Sequence, residues 1–196
     1  QVQDNACFGA QRIMTGRASA NTGLGLCKYL AEPTDRAYRI VGLTSAKNRA
    51  FVEGLGACDS VLTYDEIDDI AQVPSVYVDM SGNSDVKMAL HTQLGDSLKH
   101  SSAVGLSHWD HFAPTQKLAG PKPEFFFAPS QVAKRRAEWG PGEIEKQITA
   151  AWKRIAADAS TWMDVKVYQG VAASEAPYHA LVTGQADPKT GVIIRP

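Results

Sequence analysis

The 196-residue chain is poor in everything that would place it in a special class. It has three cysteines, Cys7, Cys27 and Cys58, far apart and odd in number. That argues against a disulfide scaffold, and no CxxC pair suggests zinc. Reduced, intracellular thiols are the plain reading, and a cytoplasmic location follows from it as an expectation. No apolar run approaches the ~20 residues of a membrane span. The formal net charge is only -1, which removes any whole-protein electrostatic argument for nucleic acid or an anionic membrane. There is no GxxxxGK[ST] segment for triphosphate hydrolysis, and no tyrosine is followed four residues later by lysine. Neither internal repeat nor low-complexity tract is present. The chain also lacks an initiator methionine and a visible signal peptide; Gln1 reads as the start of a fragment or a processed chain.

What is present is ordinary in amount, 44% apolar and 21% charged residues, and regular in order. Gln11–Thr15, Tyr38–Thr44, Ser60–Thr63, Ser75–Asp79 and Leu98–Leu106 read as strands. Helical patterns over Thr22–Ala31, Ala46–Leu55 and Asp85–Leu94 and a turn over Tyr64–Ala71 separate them. Strands alternating with helices imply right-handed crossovers and a parallel sheet, and "RIM", "YRIVGL" and "SVYVDM" suit strands covered on both faces. After Leu106 a proline-bearing loop leads to "EFFFAP", a strand candidate. Helices are expected over Ser130–Trp139 and Gly142–Trp162, a strand over Asp164–Gln169, a helix over Ala172–Thr183 and a terminal strand. The Phe125–Phe127 run reads as core or as a subunit interface.

The stretch "RIMTGRASANTGLGLCKYL" has the layout of a dinucleotide-binding turn. Unpaired amides at a helix N-terminus attract phosphate. Gly16, Gly23 and Gly25 do not fit the usual GxGxxG, and Ala18, Ser19 and Ala20 stand where glycine is missing. Ser19, Asn21 and Thr22 could hydrogen-bond phosphate, and Ser19 or Asn21 could equally be helix caps. After the second strand an NAD site would carry an acid; here the chain offers Ser45, Lys47 and Arg49. Cations in a first helical turn oppose the macrodipole, and a bound 2'-phosphate of NADP would reverse that sign. The alternative is two solvated surface side chains. "DMSGN" puts Asp79, Ser81, Gly82 and Asn83 at the carboxyl edge of the sheet, either as a ligand turn or as a plain turn with Asn83 or Ser84 capping the next helix.

"VGLSHWDHF" holds Gly105, Ser107, His108, Asp110 and His111. It departs from a hydrolase GxSxG elbow because Trp109 replaces the last glycine, so an acyl hydrolase using Ser107 is the weaker alternative. The spacing is not that of a structural metal site, and no metal is expected. His108 and His111 are candidates for a substrate-side proton donor.

"TGRASANTGLGL", "VGLTSAKNRAFVEGLGACDSVLTYDE", "VYVDMSGN" and the tail "VYQGVAASEAPYHALVTGQADPKTGVIIRP" together resemble the medium-chain dehydrogenase/reductase superfamily, on its zinc-free quinone and enoyl reductase side. "GLTSAKN" and "GPKPEFFFAP" with "KRRAEWGP" resemble more closely a branch known only as a domain of unknown function. The resemblance runs from about Phe8 to Pro196. It implies an α/β fold, a Rossmann-type doubly wound parallel sheet over 1–120, with a segment over 121–196 whose helices and returning strand complete it. It also implies that an N-terminal barrel-like substrate domain is missing and that a homodimer could form through an edge strand. It puts phosphate contacts at Arg17, Ala18, Ser19, Asn21 and Thr22, 2'-phosphate contacts at Ser45, Lys47 and Arg49, and nicotinamide-side contacts at Gly82, Asn83 and Gly105–Ser107. The function so implied is NADPH-dependent reduction of a quinone or a carbonyl-conjugated double bond in a small-molecule substrate. A non-catalytic nucleotide-binding or interaction module is the alternative.

Overall fold

The computed structural model describes residues 2–105 and 117–195. They form two compact units that divide between Ile144 and Glu145.

The first unit is built on a six-stranded sheet. In chain order its elements are β1 (Arg12–Thr15), α1 (Asn21–Ala31), β2 (Arg39–Thr44), α2 (Arg49–Gly54), β3 (Ser60–Thr63), β4 (Ser75–Asp79), α3 (Ser84–Leu94), β5 (Leu98–Ala103), β6 (Glu124–Phe125) and α4 (Ala128–Trp139). Every pairing is parallel and the spatial order is β3-β2-β1-β4-β5-β6. This is the doubly wound order, with β1 and β4 adjacent where the winding reverses.

Period-2 alternation explains why the strands read as continuous apolar runs. Ile13, Ile40, Val76 and Val78 pack with Cys27 and Leu30 of α1 on one face. Their neighbours Met14, Val41, Leu43 and Tyr77 pack with Val86, Leu90 and Leu94 of α3 on the other. A third cluster, Ala18, Val52 and Val61, joins the loop after β1 to α2 and β3. The turn between β3 and β4 is a 3-10 segment, Tyr64–Asp69, opened by a capping box of Thr63 and Glu66.

Two expectations are corrected. "EFFFAP" gives only a two-residue strand: Ala128 already begins α4, with Pro129 in its first turn, where its missing N–H costs nothing. Phe125 and Phe127 are not core; they are 64% and 55% exposed and stack on each other with ring centroids 6.3 Å apart.

The second unit carries most of α5 (Glu143–Ala159), then β7 (Asp164–Gln169), α6 (Glu175–Val182) and β8 (Thr190–Arg195). β7 and β8 pair in parallel with each other, from Asp164↔Thr190 to Gln169↔Arg195, as a separate two-stranded sheet. Among the described residues no helix is long and apolar enough to cross a membrane.

Candidate functional site at the carboxyl edge of the sheet

Thr15, Thr44 and Asp79 end β1, β2 and β4 on the same edge, because the strands are parallel and in register. The loop after β1 is strapped to both neighbours. The Gly16 N–H donates to the Val78 carbonyl (2.9 Å) and the Ala18 N–H to the Leu43 carbonyl (2.8 Å). The Ala20 N–H donates to the Arg17 carbonyl (2.9 Å). These three amides are therefore committed to the protein, and the Ala18 methyl is a core group with no exposure. Of the expected phosphate contacts, Ala18 serves the fold.

The first turn of α1 is different. Its N-cap is Ala20, which has no side chain to cap with, and the turn contains no acid. Neither Ser19 nor Asn21 is the cap. The leading amides of a helix have no intrahelical acceptor, and here Asn21 and Thr22 are exposed beside them. Such an end favours an anion.

The glycines divide their usual work in an unusual way. A Cβ on Gly23 would lie 2.7 Å from the Arg17 carbonyl oxygen, so Gly23 lets α1 sit against the loop. A Cβ on Gly16 would lie 2.6 Å from the buried Tyr77 hydroxyl. The left-handed position falls on Arg17, φ +54°, where a non-glycine residue costs about 1–2 kcal/mol. Tyr64 flanks it: burial raises the phenol pKa, while the charge and backbone of Arg17 draw it down. Tyr77 is pushed up more strongly, first by burial and then by the nearby charge of Asp79.

Beyond β2, Ser45 precedes a 3-10 turn, Ala46–Asn48, that exposes Lys47. No acid lies between Thr44 and Ala50. Arg49 departs from expectation. Its Nη1 donates to both Glu66 oxygens (2.9 and 3.0 Å) and its Nε to Glu53 Oε1 (2.9 Å). Glu66 is itself fixed by the Thr63 N–H (2.7 Å) and hydroxyl (3.0 Å). The Thr63 N–H, then Arg49, hold the Glu66 carboxyl below its ordinary range. The charge of Arg49 is thus answered within the protein and needs no ligand to explain it.

Beyond β4, Asp79 Oδ1 accepts from the Ser81 N–H (2.9 Å), the Ser81 hydroxyl (3.0 Å) and the Gly82 N–H (2.9 Å). Gly82 has φ +68°. Asn83 Oδ1 caps α3 by accepting from the N–H groups of Asp85 and Val86, so its side-chain oxygen serves the helix. At the end of β5 the N–H groups of Val104 and Gly105 donate to the Asp79 carbonyl (2.9 and 3.0 Å). A Cβ on Gly105 would overlap the Met80 carbonyl. Ser107, His108 and His111 lie outside the described residues. Among the described residues, no group of three or more His, Cys, Asp or Glu side chains could hold a metal.

The structure thus brings Arg17, Ser19, Asn21, Thr22, Ser45 and Lys47 to the β1–β2 side of the edge and Gly82, Asn83 and Gly105 to the β4–β5 side. Sequence reasoning missed Asn48, whose Nδ2 donates to Ser19 Oγ at 3.1 Å. It missed Glu66 too, although Thr63-x-x-Glu66 is a readable capping box.

The chain belongs to the family described as protein of unknown function (DUF2855), whose model matches residues 1–187. No curated protein matches the sequence. Among solved structures it is similar to the yhdH oxidoreductase of Salmonella enterica in complex with NADP, with TM-score 0.57, 18% identity, and 99% of this chain covering 59% of that one. Escherichia coli K-12 YhdH with bound NADPH gives 0.50 and 20%, covering 97% and 58%. CurA of Vibrio vulnificus with NADPH gives 0.56 and 12%, covering 95% and 57%. The shared feature is the fold, and the chain spans less than two thirds of each of these proteins.

Proposed function

We propose that this DUF2855 member is an NADPH-dependent reductase delivering hydride to a quinone or a carbonyl-conjugated double bond. One observation carries the reading: the uncapped, acid-free first turn of α1 stands at the β1/β4 reversal, next to an acid-free turn that exposes Lys47. Open α/β sheets bind ligands at that crevice. The absence of an acid after β2 disfavours a bare ribose diol, and a cation there favours its phosphate ester. That proteins of similar fold hold NADP or NADPH supports the same assignment.

The residues present fit the cofactor. The amides of the first α1 turn, with the Asn21 and Thr22 side chains, would take the diphosphate. Ser45 and Lys47 would take the 2'-phosphate. Gly82, with φ +68°, and Gly105, packed against the Met80 carbonyl, lie on the side where the nicotinamide would sit. Held there, the nicotinamide would supply the hydride, and the chain would supply the orientation that makes the transfer a short intramolecular-like step.

The test is NADPH oxidation with a panel of quinones and enones. Turnover with NADPH well above that with NADH supports the reading. No turnover with any acceptor, from a chain that binds NADPH, would leave a binding module in its place.

A further inference from the structure

Ser19 and Asn48 lie 29 residues apart and belong to the two halves of the proposed cofactor site. Ser19 sits in the loop after β1 and is 8% exposed. Asn48 closes the three-residue turn that carries Lys47. The Asn48 side-chain amide donates to the Ser19 hydroxyl at 3.1 Å, and the Asn48 N–H donates to the Ser45 carbonyl at 2.9 Å. The next residue, Arg49, is clamped to Glu66 and Glu53. The Lys47 turn is therefore fixed to the phosphate loop by Asn48 and to the end of β3 by Arg49.

We infer that Asn48, through Ser19, is a positioning residue for cofactor choice: it sets the distance between the diphosphate-binding amides and the Lys47 cation. This rests on the NADPH reading above. A diphosphate and a 2'-phosphate on one nucleotide are two charges tied together through a single ribose. A cation held in register with the first gains the second fully; a cation on a loosened turn gains less. NADH has only the first charge, so its binding is insensitive to that register.

The experiment is titration of NADPH and NADH into the wild-type chain, Asn48→Ala, Ser19→Ala and the double variant, with thermal melts to establish that each is folded. Each single variant should lower the NADPH-over-NADH affinity ratio about fivefold, the equivalent of one ordinary hydrogen bond. The double variant should lower it no further, because both changes remove the same bond. If Asn48→Ala fails to fold, Ser19→Ala alone carries the test. A general packing role would weaken both nucleotides equally and leave the ratio unchanged, which overturns the inference. A wild-type preference that survives intact in both variants also overturns it alone. A wild-type chain that binds both nucleotides alike removes the functional reading, and this inference with it.

Discussion

Lys47 and Arg49 stand two positions apart and look equivalent in the sequence, yet their surroundings separate them. Arg49 is held by two carboxylates, whereas Lys47 is exposed at the edge where a nucleotide ribose would lie. Lys47→Ala should weaken NADPH about tenfold, the scale of one charge-assisted hydrogen bond, and leave NADH unchanged. Arg49→Ala should lower the melting temperature with little change in the ratio of the two affinities. Titration and melting of both variants check this; the opposite assignment of effects would refute it. A second residue-scale consequence concerns His91. Its Nδ1–H donates to the Ala119 carbonyl at 2.7 Å, and Nε2 accepts from the Ser101 hydroxyl at 3.0 Å. Burial, foremost, lowers its pKa below the ordinary 6.5. The unfolded chain therefore takes up the proton first as pH falls. The stability due to the neutral ring is complete above about pH 6.5 and declines as pH drops toward the folded value. Urea midpoints from pH 8 to 5 should fall more steeply for wild type than for His91→Gln, which keeps a donor and an acceptor but does not titrate. Parallel slopes would contradict this.

At the scale of elements, α1 meets the loop after β1 through Gly23. Gly23→Ala forces a methyl to within 2.7 Å of a backbone oxygen. The helix must then shift, at a cost of roughly 1–3 kcal/mol, and the amides of its first turn move with it. Chemical denaturation should register the loss, and NADPH and NADH affinities should fall together; a variant with unchanged affinity for both would separate α1 from the site. The elements of the first unit were largely legible because their signals are local. β3 and β4 occupy the spans their alternation predicts, and glycine or proline punctuates the turns. Less legible was anything fixed by a distant partner. Whether Arg49 faces a ligand or Glu66 depends on a capping box 14 residues further on. Whether Asn83 faces a ligand or the α3 amides depends on which rotamer its own helix start selects. Ala20, not Ser19 or Asn21, is the cap because it is the last extended residue before the helix, φ −82° and ψ 149°, while the Ser19 hydroxyl accepts from Asn48. The brevity of β6 follows from Pro129, whose favourable place in a first helical turn outweighs the strand propensity of three phenylalanines.

Across the whole molecule, the first unit, where the nucleotide is proposed to bind, is separate from the unit holding β7 and β8, whose Val165, Val167, Val192, Ile193 and Ile194 remain roughly half exposed. Only the first unit is assigned contact with NADPH, so its stabilisation by the cofactor should be local. At a hundred times the dissociation constant, linkage gives about 2.7 kcal/mol. Amide hydrogen exchange should slow in 16–24 and 44–49 while β7 and β8 exchange as before; protection spread evenly over both units would contradict that assignment. The most direct test of the central claim is equilibrium titration of the chain with NADPH and with NADH at one salt concentration. Tighter binding of NADPH, abolished as a preference by Lys47→Ala, is the predicted result. Equal affinities, or no binding of either, would contradict the account.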